Sequence, residues 1–267
     1  MKYDLFLSDF DGTLGCSPDY IDKSTVEAIK EYEKKGGTFA IVTGRSFASI
    51  RGICLKHGLK GKIVAFQGAT IADIESGEIL MQEGLSCKLA IDIVKRLKKD
   101  GVISVVWIDD VLYYADMCYY VSVFVADNGV RCERVKDVEE VIKKLGKTVN
   151  KVCGFADTAD VTEYLNLYSK AFGAEVVVNS GAKHLIEFIN AKYDKGFAVK
   201  RLAEELKIPF EKVIAIGDST NDIPLMNELW HGVAVGDGAE ELKKCAKEIT
   251  LPFKENPVKN LLEKYCL

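Results

Sequence analysis

The sequence predicts an α/β protein: a parallel, doubly wound sheet with a smaller α+β module inserted into it. Three observations carry this prediction. At both ends of the 267-residue chain, short apolar runs alternate with amphipathic stretches of helical period, the pattern of strands joined by crossover helices. The middle carries two β-rich runs separated only by Asp109-Asp110, a hairpin signal and so an antiparallel pair. The alternating pattern then resumes after Lys195. The simplest division is a core of residues 1–82 and 191–267 with an insert at residues 83–190.

The elements follow in order. Tyr3 to Ser8 is a short apolar run bounded by polar residues and reads as a buried strand. Ser24 to Lys35 places Val26, Ile29 and Tyr32 on one helical face, and Gly36-Gly37 stops that helix. Thr38 to Val42 reads as a second strand, Phe47 to Gly58 as a helix and Lys62 to Phe66 as a third strand. In the insert, Cys87 to Lys99 reads as a helix with Leu89, Ile93, Val94 and Leu97 on one face. Strands are expected at Val102 to Ile108 and Val111 to Tyr119, a helix at Val138 to Leu145 and a strand at Lys151 to Phe155. A helix at Thr158 to Phe172 precedes strands at Val176 to Asn179 and His184 to Ile189, joined through Ser180-Gly181. Gly196 to Lys207 is then a helix facing Val199, Leu202, Ala203 and Leu206 inward. Val213 to Ile216 is a buried strand, Leu225 to Leu229 a short helix and Val233 to Val235 a last strand.

Composition excludes several classes. A chain that is 48% hydrophobic and 28% charged is neither largely disordered nor a low-complexity array. With 36 basic against 40 acidic residues, it lacks the basic balance of a nucleic-acid binder. The eight cysteines show no C-x-x-C spacing and no matching histidine pair, so free thiols are expected rather than a zinc site. The opening MKYDLFLSDFDG meets aspartates too early for a signal peptide. No apolar run approaches the ~18 residues needed to span a bilayer. Cytoplasm is the expected compartment, with neither membrane nor nucleic acid as partner.

Polar residues that directly follow buried strands mark the candidate site, because strand carboxyl ends line the ligand crevice of an open parallel sheet. Asp9-Phe10-Asp11-Gly12-Thr13 follows the first strand, Thr43-Gly44-Arg45 the second, and Gly217-Asp218-Ser219-Thr220-Asn221-Asp222 the strand ending at Ile216. Lys195-Gly196 lies where the insert ends and a helix begins. On an extended segment, Asp9 and Asp11 leave on the same side. With Asp218 and Asp222 they make four acids at one sheet edge, a cluster that is costly without a divalent cation; all-oxygen donors favour Mg²⁺. Singly, Asp11-Gly12 reads as a turn and Asp218 as a helix cap. Together with Lys195 and Thr43 they read as a site.

These segments resemble the four motifs of the haloacid dehalogenase superfamily of phosphotransferases: Asp9 to Leu14 the first, Thr43-Gly44-Arg45 the second, Lys195-Gly196 the third and Gly217-Asp218 through Asp222 the fourth. The insert resembles that superfamily's type C2 cap, and the whole looks most like its Cof-type subfamily. Phe10 stands where Leu is common between the two acids, and is expected to face the core. The resemblance implies a Rossmann-like, doubly wound parallel core with an α+β cap. It also implies Mg²⁺-dependent hydrolysis of small phosphorylated metabolites, such as sugar phosphates, through an aspartyl-phosphate. Asp9 is then the nucleophile and Asp11 the acid and base. Thr43, Gly44, Lys195 and Asn221 meet the phosphate. The metal is held by Asp9, the Asp11 backbone carbonyl and Asp218, with Asp222 behind them. Gly12 leaves room for the loop backbone near the phosphate.

Two other readings stand beside this one: a phosphohexomutase of the same superfamily, and a regulator that binds a phosphorylated metabolite without turnover. Arg45 suits either the phosphate or a structural ion pair. His57 reads as a helix end, His231 as a loop residue and His184 as the start of a strand; none is taken as catalytic. Tyr113-Tyr114 and Tyr119-Tyr120 read as core and sheet surface of the insert.

Overall fold

A computed structural model describes residues 2–16, 19–127, 129–156 and 161–267. β1 (Leu5–Ser8) is fully buried, as befits a strand covered on both faces. The short strands β2 (Gly15–Cys16) and β3 (Tyr20–Ile21) pair antiparallel. α1 (Lys23–Lys34) starts at Asp22, whose carboxylate accepts from the Ser24 and Thr25 N–H groups, and it buries Val26, Ile29 and Tyr32. β4 (Thr38–Val42), α2 (Phe47–His57) and β5 (Lys62–Ala65) follow as the pattern predicts. The parallel run ends at β5. β6 (Thr70–Asp73) runs back antiparallel to β5, and β7 (Ile79–Gln82) extends the sheet. The reversal at Phe66–Gly68 carries no Asn-Gly or Asp-Gly signal, so it is silent in the sequence.

The chain forms two compact units, Met1–Met81 with Asp194–Leu267 and Gln82–Tyr193. The second begins with α3 (Cys87–Lys99), followed by β8 (Ile103–Ile108) and β9 (Val111–Tyr114), an antiparallel pair. Asp109 and Asp110 join them at φ 51° and 64°, the conformation a primed two-residue turn demands. β9 stops at Tyr114, and Tyr119 opens a helix instead of ending a strand: α4 (Tyr119–Asp127). Valines and aromatics favour strands. Here burial of Val121, and contacts of Phe124 with Trp107 and Phe155 at ring separations of 6.4 and 5.2 Å, override that preference. β10 (Cys132–Arg134), α5 (Val138–Leu145), β11 (Lys151–Phe155) and α6 (Thr162–Phe172) come next. The expected start of that last helix, Thr158, lies outside the described residues. β12 (Val176–Ala182) and β13 (Leu185–Asn190) turn at Lys183-His184, not at Ser180-Gly181, where the register instead shifts. The six strands lie in the order β10-β9-β8-β11-β13-β12. Ile93, Leu97, Ile142 and Tyr168 from α3, α5 and α6 pack on Val106, Val152, Ile186 and Phe188 of one sheet face.

The first unit resumes with α7 (Lys195–Glu205), β14 (Val213–Gly217) and β15 (His231–Ala234). α8 (Glu240–Cys245), β16 (Glu248–Ile249) and α9 (Pro257–Tyr265) close the chain. The helix expected at Leu225 to Leu229 is absent. A 3₁₀ turn spans Thr220–Leu225 instead, opened by a Ser219–Asp222 capping box and containing Pro224. The Trp230 indole N–H donates to the Leu225 carbonyl at 2.7 Å, fixing the chain as it leaves that turn. His231 lies in β15 rather than a loop, its Nε2 2.9 Å from Glu248. The eight strands lie in the order β16-β15-β14-β1-β4-β5-β6-β7, parallel from β16 through β5. β1 is therefore flanked by β14 and β4, and the chain progresses outward from it in both directions, so its carboxyl end is the topological switch point. Among the described residues no helix is long and apolar enough to cross a membrane, and all eight cysteines are free.

Two stability outcomes follow. Leu202 is fully buried where α7 meets the sheet, so Leu202→Ala is expected to cost about 2–5 kcal/mol in denaturant unfolding. Burial alone would raise the Glu248 carboxyl, but hydrogen bonds from Lys264, Tyr265 and His231 outweigh it and bring it down to about 2. A carboxyl lowered by folding contributes stability that is complete above its unfolded value and is lost as pH falls through its folded value. Glu248→Gln is expected to flatten the stability curve between pH 4.5 and about 2, measured by urea unfolding at stepped pH; an unchanged slope refutes the assignment.

Candidate active site

The site is built at the switch point. Asp9 is the first residue past β1; its N–H donates to Ile216 of β14 at 2.9 Å, and only 6% of the residue is exposed. Asp194 caps α7, accepting from the Phe197 N–H at 2.7 Å, and so sets Lys195 at the helix start. The buried Lys195 ammonium donates to Asp9 Oδ1 at 2.7 Å and to Asp222 Oδ1 at 2.6 Å. The other Asp222 oxygen accepts from the backbone N–H groups of Asp218 and Ser219 at 3.0 and 3.1 Å. Asp218 Oδ1 accepts from the Thr13 hydroxyl at 2.9 Å.

Three glycines permit this convergence. A Cβ on Gly196 would stand 2.5 Å from the Pro224 carbonyl, and one on Gly217 2.5 Å from Asp222. At Gly12, with φ +82°, a Cβ would meet Asp218 Oδ2 at 2.7 Å. The room left by Gly12 is filled by the Asp218 carboxylate.

Asp11 behaves differently from the expectation of an extended segment. The chain turns at Phe10, whose carbonyl accepts the N–H groups of Thr13, Leu14 and Gly15. The Asp11 side chain, 48% exposed, is gripped by Arg45 through both oxygens, at 2.8 and 2.5 Å. The acidic cluster comprises Asp9, Asp218 and Asp222, with ligand oxygens within 4.8 Å of one another; Asp11 stands outside it. Arg45 also lies 4.8 Å over the ring of Phe10, which is fully buried as expected. Arg45 thus forms an ion pair with Asp11. Thr43 is buried, its hydroxyl accepting from the Arg45 N–H at 3.2 Å. The Asn221 oxygen accepts from the Ser219 hydroxyl at 2.5 Å.

A family model for haloacid dehalogenase-like hydrolases matches residues 6–262. The chain belongs to this family. It is 25% identical over 292 residues to the phosphatase YwpJ of Bacillus subtilis, covering 97% of this chain and 98% of the relative. It is 27% identical over 268 residues to the 5-amino-6-(5-phospho-D-ribitylamino)uracil phosphatase YitU of the same organism, covering 98% and 97%. The fold is that of a solved Thermotoga maritima protein, with a TM-score of 0.86 at 24% identity over 98% of this chain and 97% of that one. A haloacid dehalogenase-like hydrolase from B. subtilis gives a TM-score of 0.84 at 24% identity, covering 97% and 99%.

The electrostatics of this hydrolase follow from burial. Desolvation, then the Asp222 charge, raise Asp9 well above the ordinary carboxylate range, with Lys195 opposing. Desolvation also raises Asp218, against the hydrogen bond from Thr13. Burial by itself would lower Lys195, but the two carboxylates outweigh it and hold the ammonium charged. The hydrolase also has a site residue that the sequence reading missed. Gln67, buried just past β5, donates its N–H to the Thr43 carbonyl at 2.9 Å, and its side-chain oxygen lies 3.5 Å from Asn221 Nδ2. The signal was available, since Gln67 is a polar residue after a buried strand like the others.

Lys195→Met leaves two buried carboxylates facing each other. It is expected to destabilise the hydrolase by about 3–5 kcal/mol, read as a fall in denaturant midpoint. Adding Asp222→Asn removes one stranded charge and is expected to restore part of that loss. Independent, additive losses would show that the three groups are not one network.

Proposed function

We propose that this hydrolase is a phosphatase that cleaves small-molecule phosphate monoesters through an aspartyl-phosphate on Asp9, with Mg²⁺ as cofactor. The observation that carries the reading is the buried Lys195 ammonium held between Asp9 and Asp222, with Asp218 completing the acidic cluster. An ionised carboxylate is a nucleophile that needs no activating base, and the adjacent Lys195 ammonium favours that form against the desolvation that opposes it. The relatives named as phosphatases support ester hydrolysis, and the one named for a phosphoribitylaminouracil supports a small phosphorylated metabolite.

The donor set suits Mg²⁺. Three clustered carboxylates against one ammonium leave two negative charges, the charge that one divalent cation cancels, and every donor is oxygen. Both Asp222 oxygens are engaged by Lys195 and by backbone N–H groups, so Asp9, Asp218 and the Asp11 carbonyl are assigned as ligands. When bound, Mg²⁺ supplies positive charge between Asp9 and the phosphoryl oxygens.

In the first step an Asp9 oxygen forms a bond to phosphorus as the ester oxygen leaves. Asp11 donates a proton to that departing oxygen. In the second step Asp11 takes a proton from the water that attacks phosphorus, and Asp9 is released with inorganic phosphate. Asp11 must exchange one of its two Arg45 contacts for the leaving oxygen. The Thr43 hydroxyl, the Gly44 N–H and the Asn221 amide donate to phosphoryl oxygens, and Lys195 offsets the charge that builds there. Choice of metabolite is assigned to the inserted unit, Gln82–Tyr193.

The test is phosphate release from sugar phosphates, flavin mononucleotide, pyridoxal phosphate and an aryl phosphate. Release is expected with Mg²⁺, at background with chelator and at background for Asp9→Asn. Asp11→Asn is expected to lower kcat by about 10²- to 10⁴-fold. Full activity of Asp9→Asn would exclude the aspartyl-phosphate.

A further inference from the structure

Gln67 belongs to none of the four motifs, yet the fold goes to some length to place it. Phe66 and Gln67 are consecutive non-glycine residues at positive φ, 50° and 61°, followed by Gly68 at 123°. Such backbone is disfavoured and persists where its surroundings over-determine it. Here the surroundings are the Thr43–Arg45 loop: the Phe66 N–H donates to the Arg45 carbonyl at 3.0 Å and the Gln67 N–H to the Thr43 carbonyl at 2.9 Å. The result is a buried primary amide laid across the ends of two strands. Its nitrogen packs over Gly44, where a Cβ would come within 2.6 Å of Nε2. Its oxygen accepts a long hydrogen bond from Asn221 Nδ2, at 3.5 Å.

A primary amide is nearly symmetric in shape but opposite in chemistry at its two ends, one a donor and the other an acceptor. An asparagine that must bind a phosphoryl oxygen serves only with its nitrogen turned to it; the flipped rotamer presents a lone pair to an anion. Asn221 is held at both ends. The Ser219 hydroxyl occupies Oδ1 and the Gln67 oxygen takes one Nδ2 hydrogen, which leaves the second Nδ2 hydrogen for a ligand. We infer that Gln67 is a positioning residue for anion binding: itself packed over Gly44, it locks the Asn221 amide with its donor outward. This rests on reading Thr43, Gly44 and Asn221 as the groups that meet the phosphoryl oxygens.

The test uses orthophosphate binding, measured by calorimetry with MgCl₂ present, alongside KM and kcat for the best ester. Gln67→Met keeps the side-chain length and removes both polar ends. It is expected to weaken orthophosphate binding and raise KM by about tenfold, as for the loss of one hydrogen bond to a charged group. Its thermal midpoint reports whether it is folded. Gln67→Asn, which keeps the amide but shortens its reach, is the second variant and should show the same loss. In an Asn221→Ala background, Gln67→Met should weaken orthophosphate binding no further, because its effect passes through Asn221. A residue that merely supports the fold would instead weaken both backgrounds equally. Unchanged phosphate affinity in a folded Gln67 variant, or equal losses in both backgrounds, overturns the inference while wild-type turnover stands. A wild type that neither releases nor binds phosphate overturns the function itself, and this inference with it.

Discussion

Everything at the switch point is organised around one buried ammonium. Lys195 is almost wholly removed from water, and a charge so placed is tolerated only when it is paired and hydrogen-bonded. Its two partners come from different loops, Asp9 after β1 and Asp222 after β14. Satisfying the ammonium therefore pins both loops to the start of α7. The close approaches at Gly196 and Gly217 are the steric consequence: the helix start and the 3₁₀ turn cannot reach the ammonium together if either position carries a side chain. Asp222, spent on Lys195 and on two backbone N–H groups, holds the Asp218 backbone in place and leaves Asp218's own carboxylate to face Asp9.

The same constraint explains why the site carries excess negative charge. A single lysine neutralises one of three neighbouring carboxylates. Desolvation and the neighbouring carboxylate charge raise the Asp9 and Asp218 carboxyls, with Lys195 opposing. On the proposed function, a divalent cation at this cluster would offset the negative charge that Lys195 leaves unbalanced.

Much of this was legible in the chain because local rules agree with the fold. β1, β4 and β14 are continuous apolar runs, each followed at once by polar residues, so strand ends and site residues are marked by the same boundary. The hairpin at Asp109-Asp110 was equally legible, its turn chemistry being local. What the sequence hid depends on partners distant along the chain. α4 is helical because Val121 is buried and Phe124 packs on Trp107 and Phe155 of the sheet. The 3₁₀ turn at Thr220–Leu225 replaces a later helix because Asp222 is pulled back to Ser219 and Asp218. Gly12 gives its space to a carboxylate 206 positions away, at Asp218. Gln67 carries the same mark as the other polar residues after buried strands, but its pairings with Thr43 and Asn221 have no periodicity to read.

The contrast between the two acids of the first motif follows from the turn at Phe10. An extended segment would have sent both carboxylates into the same dry cluster, where they would compete for the same cation. Because three N–H groups fold back on the Phe10 carbonyl, Asp9 stays in the buried network while Asp11 emerges to meet Arg45 and water. A nucleophile benefits from being shielded, since water would solvate its charge and compete for phosphorus. An acid that must regain or release a proton in every cycle cannot be shielded in the same way. One carboxylate inside and one at the rim, two residues apart, is the arrangement that the proposed roles of Asp9 and Asp11 call for. Phe10, buried between them and stacked beneath Arg45, is the partition.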